Sequence, residues 1–168
     1  MSDEIEISYV SGNKLVNIDT SILETIIYNS FINLSEYNQL KHNKKEINRL
    51  CNTKSSFLIS ATINDVLIGY ILGEYINLDK LNSDKRHTDG RYVCYITYIH
   101  VVDDYRNIGV ASNMIKFLIK LQKQNIDGIM LTCDTSNNRL VRFYKKLGFM
   151  EDIMFRTYSR FETYYKYL

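Results

Sequence analysis

The sequence predicts an α/β fold with a central, mixed and mostly antiparallel sheet flanked by helices. Three observations predict it. Runs rich in Ile, Val, Tyr and Thr recur as strands, among them "FLISATINDVLIGYILGEY" and "YVCYITYIHVV". Between these runs lie stretches whose apolar residues return at helical spacing. The strand "YVCYITYIHVV" also passes straight into such a stretch through a loop of Arg, Asn and Gly, "DDYRNIGVASNM".

The elements follow in order. "IEISYV" alternates and reads as a short first strand. Ser21 to Glu24 has the form of a capping box, followed by Ile22, Ile26, Ile27 and Phe31 at helical spacing. A more polar helix is expected over about Glu36 to Leu50. "FLISATINDVLIGYILGEY" is two strands around an Asn64-Asp65 turn. Residues 77–91 are a charged loop that reads either as a solvated hairpin tip or as a substrate-facing loop. "YVCYITYIHVV" is apolar on both faces, hence central. A helix from about Gly109 to Gln124 buries Val110, Met114, Phe117, Leu118 and Leu121, with Lys116, Lys120 and Lys123 outside. "GIMLTCD" is the next strand. Asp134, Thr135 and Ser136 offer caps for a helix carrying Leu140, Phe143, Tyr144 and Leu147, closed by Gly148. "FMEDIMF" and "TYYKYL" end the chain as strands.

Bulk properties narrow the class. A chain of 168 residues suits one domain, here 1–168. A net charge of +2 does not argue for nucleic acid. The lysines and arginines of the last two helices read as solvated faces. Cys51, Cys94 and Cys133 lack metal spacing and a C-x-x-C pair, so they read as reduced and mostly buried. His42, His87 and His100 are scattered, and no metal is expected. No apolar stretch approaches the roughly 20 residues of a membrane helix. The acidic, alternating N-terminus is unlike a signal peptide. A cytoplasmic protein with no membrane partner is therefore expected. Monomer and homodimer both stay open.

The loop has a physical reading of its own. A helix N-terminus carries unpaired N–H groups and a partial positive charge, a natural seat for phosphate. Gly109 lets backbone approach an anion, and Ala111 is the next small residue on that turn. Arg106 could add a charge-assisted contact or brace the loop. There is no G-K-[ST] and no G-x-G-x-x-G, so Walker and dinucleotide loops are excluded. Asn137 and Tyr144 stand seven residues apart, two helical turns, and should point along one face.

Together "RNIGVA" and "NNRLVRFYKKLGF" resemble the GNAT superfamily of acyl-CoA-dependent N-acyltransferases. Arg106, Gly109 and Ala111 match the family's [QR]-x-x-G-x-[GA]. Asn137, Tyr144, Leu147, Gly148 and Phe149 match its second motif. Leu140 departs from it, since a small residue is common there. The resemblance implies a sheet splayed between its fourth and fifth strands, often at a bulge. It implies acetyl-CoA as acyl donor, with the pyrophosphate on the backbone of Asn107, Ile108, Gly109, Val110, Ala111 and Ser112. The pantetheine would pair with Ile99 and Val101, and Asn137 would bind the cofactor arm. Tyr144 would protonate the departing thiolate after direct attack by a primary amine in a ternary complex.

The general base is where the resemblance is thinnest. At the two strand positions used by several branches of the family this chain has Tyr95 and Thr97. Tyr95 is similar to a tyrosine of some N-terminal-amine acetyltransferases. Those enzymes pair it with a His on the fifth strand, at the position of Thr132 here. Glu74 is the best remaining carboxylate. Freeing a lysine amine, pKa about 10.4, costs roughly 4–5 kcal/mol at pH 7, against about 1–1.4 kcal/mol for a peptide α-amine. A site without a carboxylate or His pair suits the α-amine better. The expected acceptor is therefore a peptide or protein N-terminal amine. Polyamine, aminoglycoside-like and lysine amines are the alternatives, as is a non-catalytic acyl-CoA-binding domain.

Overall fold

The computed structural model describes residues 4–17, 44–77, 92–122, 126–151 and 161–168. The helix expected from Ser21, the start of the polar helix and most of the charged loop, 78–91, lie outside these residues. The described chain holds seven strands and three α-helices: β1 (Glu6–Ser11), α1 (Lys44–Cys51), β2 (Ser56–Ile63), β3 (Val66–Asn77), β4 (Tyr92–Val101), α2 (Val110–Leu121), β5 (Ile126–Asp134), α3 (Asn138–Lys146), β6 (Met150–Glu151) and β7 (Phe161–Tyr167). Two 3-10 helices, Gly12–Asn17 and Asp103–Tyr105, were not among the expected elements. The strands form one mixed sheet in the order β1-β2-β3-β4-β5-β7-β6, with β4 at its centre.

The chain divides into two compact units, Met1–Gly73 with Tyr98–Ile115, and Glu74–Thr97 with Lys116–Leu168. In the first, β1 pairs antiparallel with β2, placing Ser8 opposite Ser60, whose hydroxyls lie 2.7 Å apart. Asn64 and Asp65 both have positive φ, 49° and 62°, as a two-residue hairpin turn of the primed kind requires. The core gathers Leu15, Ile47, Leu50, Cys51, Leu58, Tyr70, Leu72 and Tyr98. Ile47, Leu50 and Cys51 stand at i, i+3 and i+4, so α1 turns one stripe inward. Each such buried side chain contributes about 1.5–3 kcal/mol. The helix stops where side chains take its last carbonyls: Asn52 Nδ2 donates to Asn48 O at 2.8 Å and Thr53 Oγ1 to Arg49 O at 2.6 Å.

In the second unit β4 and β5 run parallel, and β5 pairs antiparallel with β7. Val93, Met130 and Tyr165 form its core cluster, with Ile76 and Tyr95 packed against it. Gly128 is required here. A Cβ would stand 2.5 Å from Lys166 O and 2.6 Å from the Tyr165 ring, so β7 and its tyrosine occupy that space.

Two expectations need correction. The helix after the loop ends at Leu121 instead of Gln124, and Gln122 folds back to donate from Nε2 to Leu118 O at 2.8 Å. On that helix Ile115 is fully buried, whereas Phe117 and Leu121 are only half-buried. The hydrophobic stripe is thus rotated toward Ile115, because Val110, Met114, Ile115 and Leu118 share one face. The described part of "FMEDIMF" is the two-residue β6, paired with Tyr165 and Tyr164.

Candidate active site

The loop after β4 is held by its own side chains. The 3-10 turn Asp103–Tyr105 follows the strand. Arg106 then reaches back, Nε donating to Val101 O at 2.9 Å and Nη2 pairing with Asp103 Oδ1 at 2.6 Å. Of the two roles open to Arg106, these contacts are those of a brace. Asn107 and Gly109 both take the left-handed conformation, φ 67° and 94°. A Cβ at Gly109 would meet nothing closer than Ser112 Oγ at 3.7 Å. The glycine is therefore demanded by its backbone angle, and the space beside it is open. Asn113 N, donating to Gly109 O at 2.9 Å, is the first amide to close the helical ladder. The amides of Val110, Ala111 and Ser112 precede it and have no i−4 carbonyl. Ser112 Oγ also donates to Gly109 O, at 2.8 Å, and the first turn of α2 holds no acidic side chain. Ile108 is exposed, while Val110 is buried and anchors the turn.

His100, just before this loop, stacks obliquely on Tyr70 with ring centroids 5.9 Å apart. Burial, and secondarily the Arg106 charge, lower its pKa to about 4, with Asp103 opposing. It is neutral at pH 7.

The helix α3 carries the second set of residues. Asn137 is its N-cap, its side chain accepting from Leu140 N at 3.1 Å. Asp134 sits behind it, Oδ1 accepting from Ser136 N at 2.9 Å and from Ser136 Oγ at 2.7 Å. The expectation that Asp134, Thr135 or Ser136 caps this helix is thereby corrected to Asn137. Asn137 has the non-helical angles of a cap and is exposed, whereas Tyr144 is buried.

At the far end Gly148, φ 86°, closes a Schellman motif. Phe149 N donates to Tyr144 O at 3.1 Å and Gly148 N to Lys145 O at 3.0 Å. The Tyr144 ring meets Phe143 and Phe149 edge-on, at 5.1 and 5.7 Å. Burial, then Cys133, raise the Tyr144 phenol well above its ordinary range. Tyr144 therefore stays protonated at every working pH and suits hydrogen-bond donation better than proton release.

The ladder between β4 and β5 is short. It runs from Tyr92↔Ile126 to Ile96↔Leu131, although β4 continues to Val101 and β5 to Asp134. Thr97 and Thr132 are the first residues beyond the last rung. The register irregularity falls between Tyr92 and Val93, at the other end of the ladder, so the fork does not begin at that bulge. Tyr95 Oη and Thr132 Oγ1 lie 3.1 Å apart. The place expected to lack a partner for Tyr95 thus holds one, a hydroxyl in place of an imidazole. Glu74 stands two residues before Ile76 on β3 and so shares its strand face with a residue packed on the Tyr95 cluster.

All three cysteines are free and buried. Burial pushes the Cys133 thiol up to about 12, and Cys94 well above its ordinary value. Neither is a thiolate nucleophile at neutral pH. Among the described residues no group of three or more His, Cys, Asp or Glu could hold a metal ion, and no helix is long and apolar enough to cross a membrane.

The family model for the acetyltransferase (GNAT) family matches residues 25–149. The chain belongs to the GNAT family. The solved structures similar to this GNAT chain include Arabidopsis thaliana NAA60 in complex with a bisubstrate analogue, 18% identical, covering 96% of this chain and 98% of that one, with a TM-score of 0.69. They also include Arabidopsis thaliana Naa50 with a bisubstrate analogue, 22% identical over 95% and 97% of the two chains, TM-score 0.64. An aminoglycoside acetyltransferase from an uncultured soil metagenomic sample is 17% identical over 93% and 98%, TM-score 0.64. At these identities the likeness is one of fold. No curated protein sequence matches the chain. The mixed sheet with its parallel, forked β4–β5 pair is the GNAT architecture that the motifs implied.

Proposed function

We propose that the chain transfers an acetyl group from acetyl-CoA to a primary amine, and that the acceptor is a peptide or protein N-terminal amine. The observation that carries the reading is the fork. Beyond Ile96↔Leu131 the β5 side of Thr97–Val101 has no rung to β5, and an extended pantetheine could add there as a strand at Ile99 and Val101. In this reading the backbone of Asn107 to Ser112, ending in the three amides of the α2 N-terminus, takes the pyrophosphate. Arg106 holds that loop in shape. Asn137 lies at the cofactor arm, its carboxamide shared with its capping role. With Cys94 and Cys133 held as thiols, the amine attacks the thioester directly. Tyr144 donates a hydrogen bond to the departing sulfur. Tyr95, through water, and Glu74 are the groups that relieve the amine of its proton.

The Naa50 neighbour, solved with the bisubstrate analogue CoA-Ac-MVNAL, supports the peptide acceptor, as does the low cost of a neutral α-amine. A small-molecule amine is the second reading, supported by the aminoglycoside acetyltransferase neighbour at the same TM-score as Naa50. Thiol release from acetyl-CoA distinguishes them. Peptides with a free α-amine should release CoA, and the same peptides blocked at that amine should not. Release with an aminoglycoside or polyamine alone would transfer the assignment to the second reading. CoA binding without release on any amine would make the domain a non-catalytic binder.

A further inference from the structure

Thr132 has no role in the roles assigned above, yet it touches the one β4 residue proposed to meet the amine. It lies on β5 two residues beyond Met130, the register partner of Tyr95, and so on the same face of that strand. Its hydroxyl is 3.1 Å from Tyr95 Oη, and either oxygen could donate. The pair sits where the ladder ends. Thr97, the first β4 residue past the last rung as Thr132 is the first of β5, has a buried Oγ1 with no hydrogen-bond partner among the described residues. Buried hydroxyls are nearly always satisfied, so such an atom at a fork marks a place where an external polar group completes the bonding.

The geometry points to Thr132 as the positioning residue for Tyr95 at an acceptor port formed by the hydroxyls of Tyr95 and Thr132, with the buried Thr97 hydroxyl on the same face of β4 as Tyr95. The inference rests on the reading of Tyr95 given above. The direction of the hydrogen bond is what matters. When Tyr95 donates to Thr132, its oxygen lone pairs turn to the port and can accept from the N–H of an amine or of a water beside it. When Thr132 is removed, the phenol proton is free to rotate into the port, where it would donate to the amine lone pair that must attack carbon. Thr132 is exposed, so its own proton can go to solvent water while it accepts from Tyr95. A two-hydroxyl chain of this kind fixes polarity at no cost in charge burial.

Two measurements on the full chain test this. In steady-state kinetics Thr132→Val should lower kcat for the amine about ten-fold with KM for acetyl-CoA unchanged. Thr132→Ser should restore it to within about two-fold, and Thr132→Val should have no further effect in a Tyr95→Phe background. Equal losses for Val and Ser, no loss at all, or additive losses with Tyr95→Phe would overturn the inference. The second measurement needs no turnover. With ¹³Cζ-labelled tyrosine, the Tyr95 resonance should move in Thr132→Val and return in Thr132→Ser. A Tyr95 resonance indifferent to both refutes the contact even if the chain acetylates no amine, whereas a shifted resonance in a chain without turnover would count against the acetyltransferase reading alone.

Discussion

Tyr144 and Phe149 are joined twice. The Phe149 amide donates to the Tyr144 carbonyl at 3.1 Å, and the two rings meet edge-on at 5.7 Å. The residues that look like a catalytic signature, Tyr-x-x-Leu-Gly-Phe, are therefore also the local code for stopping a helix: a left-handed glycine flanked by an apolar contact. Hydroxyl and ring can be separated by mutation. Tyr144→Phe keeps the ring and the carbonyl, so its melting temperature should match the parent within a degree or two. Its turnover should fall about ten-fold or more. Tyr144→Ala should lose about 3–5 kcal/mol of stability as well. Thermal unfolding beside acetyl-transfer rates decides both, and unchanged turnover in Tyr144→Phe removes the hydroxyl from the mechanism.

Two glycines should respond differently to the same methyl group. At Gly148 an alanine faces an unfavourable φ of 86° and the tip of the Lys166 side chain, which can move aside. The cost should be about 1–2 kcal/mol. At Gly128 the methyl meets the Lys166 carbonyl and the body of the Tyr165 ring, neither of which can yield without parting β5 from β7. That cost should be about 3 kcal/mol or more. Denaturant midpoints of the two variants should rank in this order.

Asn137→Ala should destabilise by about 1 kcal/mol through loss of the cap. Asn137→Ser restores a capping oxygen without the amide. If the carboxamide also contacts the cofactor, Asn137→Ser should regain stability while KM for acetyl-CoA stays raised. A KM that returns with stability would leave Asn137 only its structural role.

His100 makes stability depend on mild acid. Its pKa is lowered from about 6.5 to about 4 in the folded chain, so below pH 6.5 the unfolded chain binds the proton more readily. Stability from this group is complete above pH 6.5 and is lost as pH falls toward 4. The neighbouring groups Tyr70, Arg106 and Asp103 do not reverse that sign, because burial and the Arg106 charge outweigh the opposing Asp103 carboxylate. His100→Gln should therefore lose less stability than the parent between pH 7 and pH 5, read from urea midpoints.

Much of this architecture was legible in the residues. The Asn64-Asp65 turn, the strand into Gly109 and the helix closed by Gly148 each follow from local rules that one sequence window satisfies. What stayed hidden depends on neighbours distant in sequence. On α2 apolar size alone cannot tell which of Phe117 and Ile115 is fully buried. That Asn137 and not one of the three residues before it caps α3 depends on a backbone angle that residue type does not reveal. Thr132 was read as a missing partner because a sequence motif tests for residue type, and the 3.1 Å contact with Tyr95 arises from a strand register.

Main chain alone forms the proposed pyrophosphate seat between Asn107 and Ser112. Truncating Ile108 to alanine would remove no donor from it, and a conventional alanine scan would feel the site only indirectly, at the brace Arg106 and at Asn107 with its positive φ. The sensitive coordinates are dihedral angles, the positive φ of Asn107 and of Gly109. Such a seat can survive drift in the side chains that line it, and it betrays itself in a sequence through the few residues that shape its backbone.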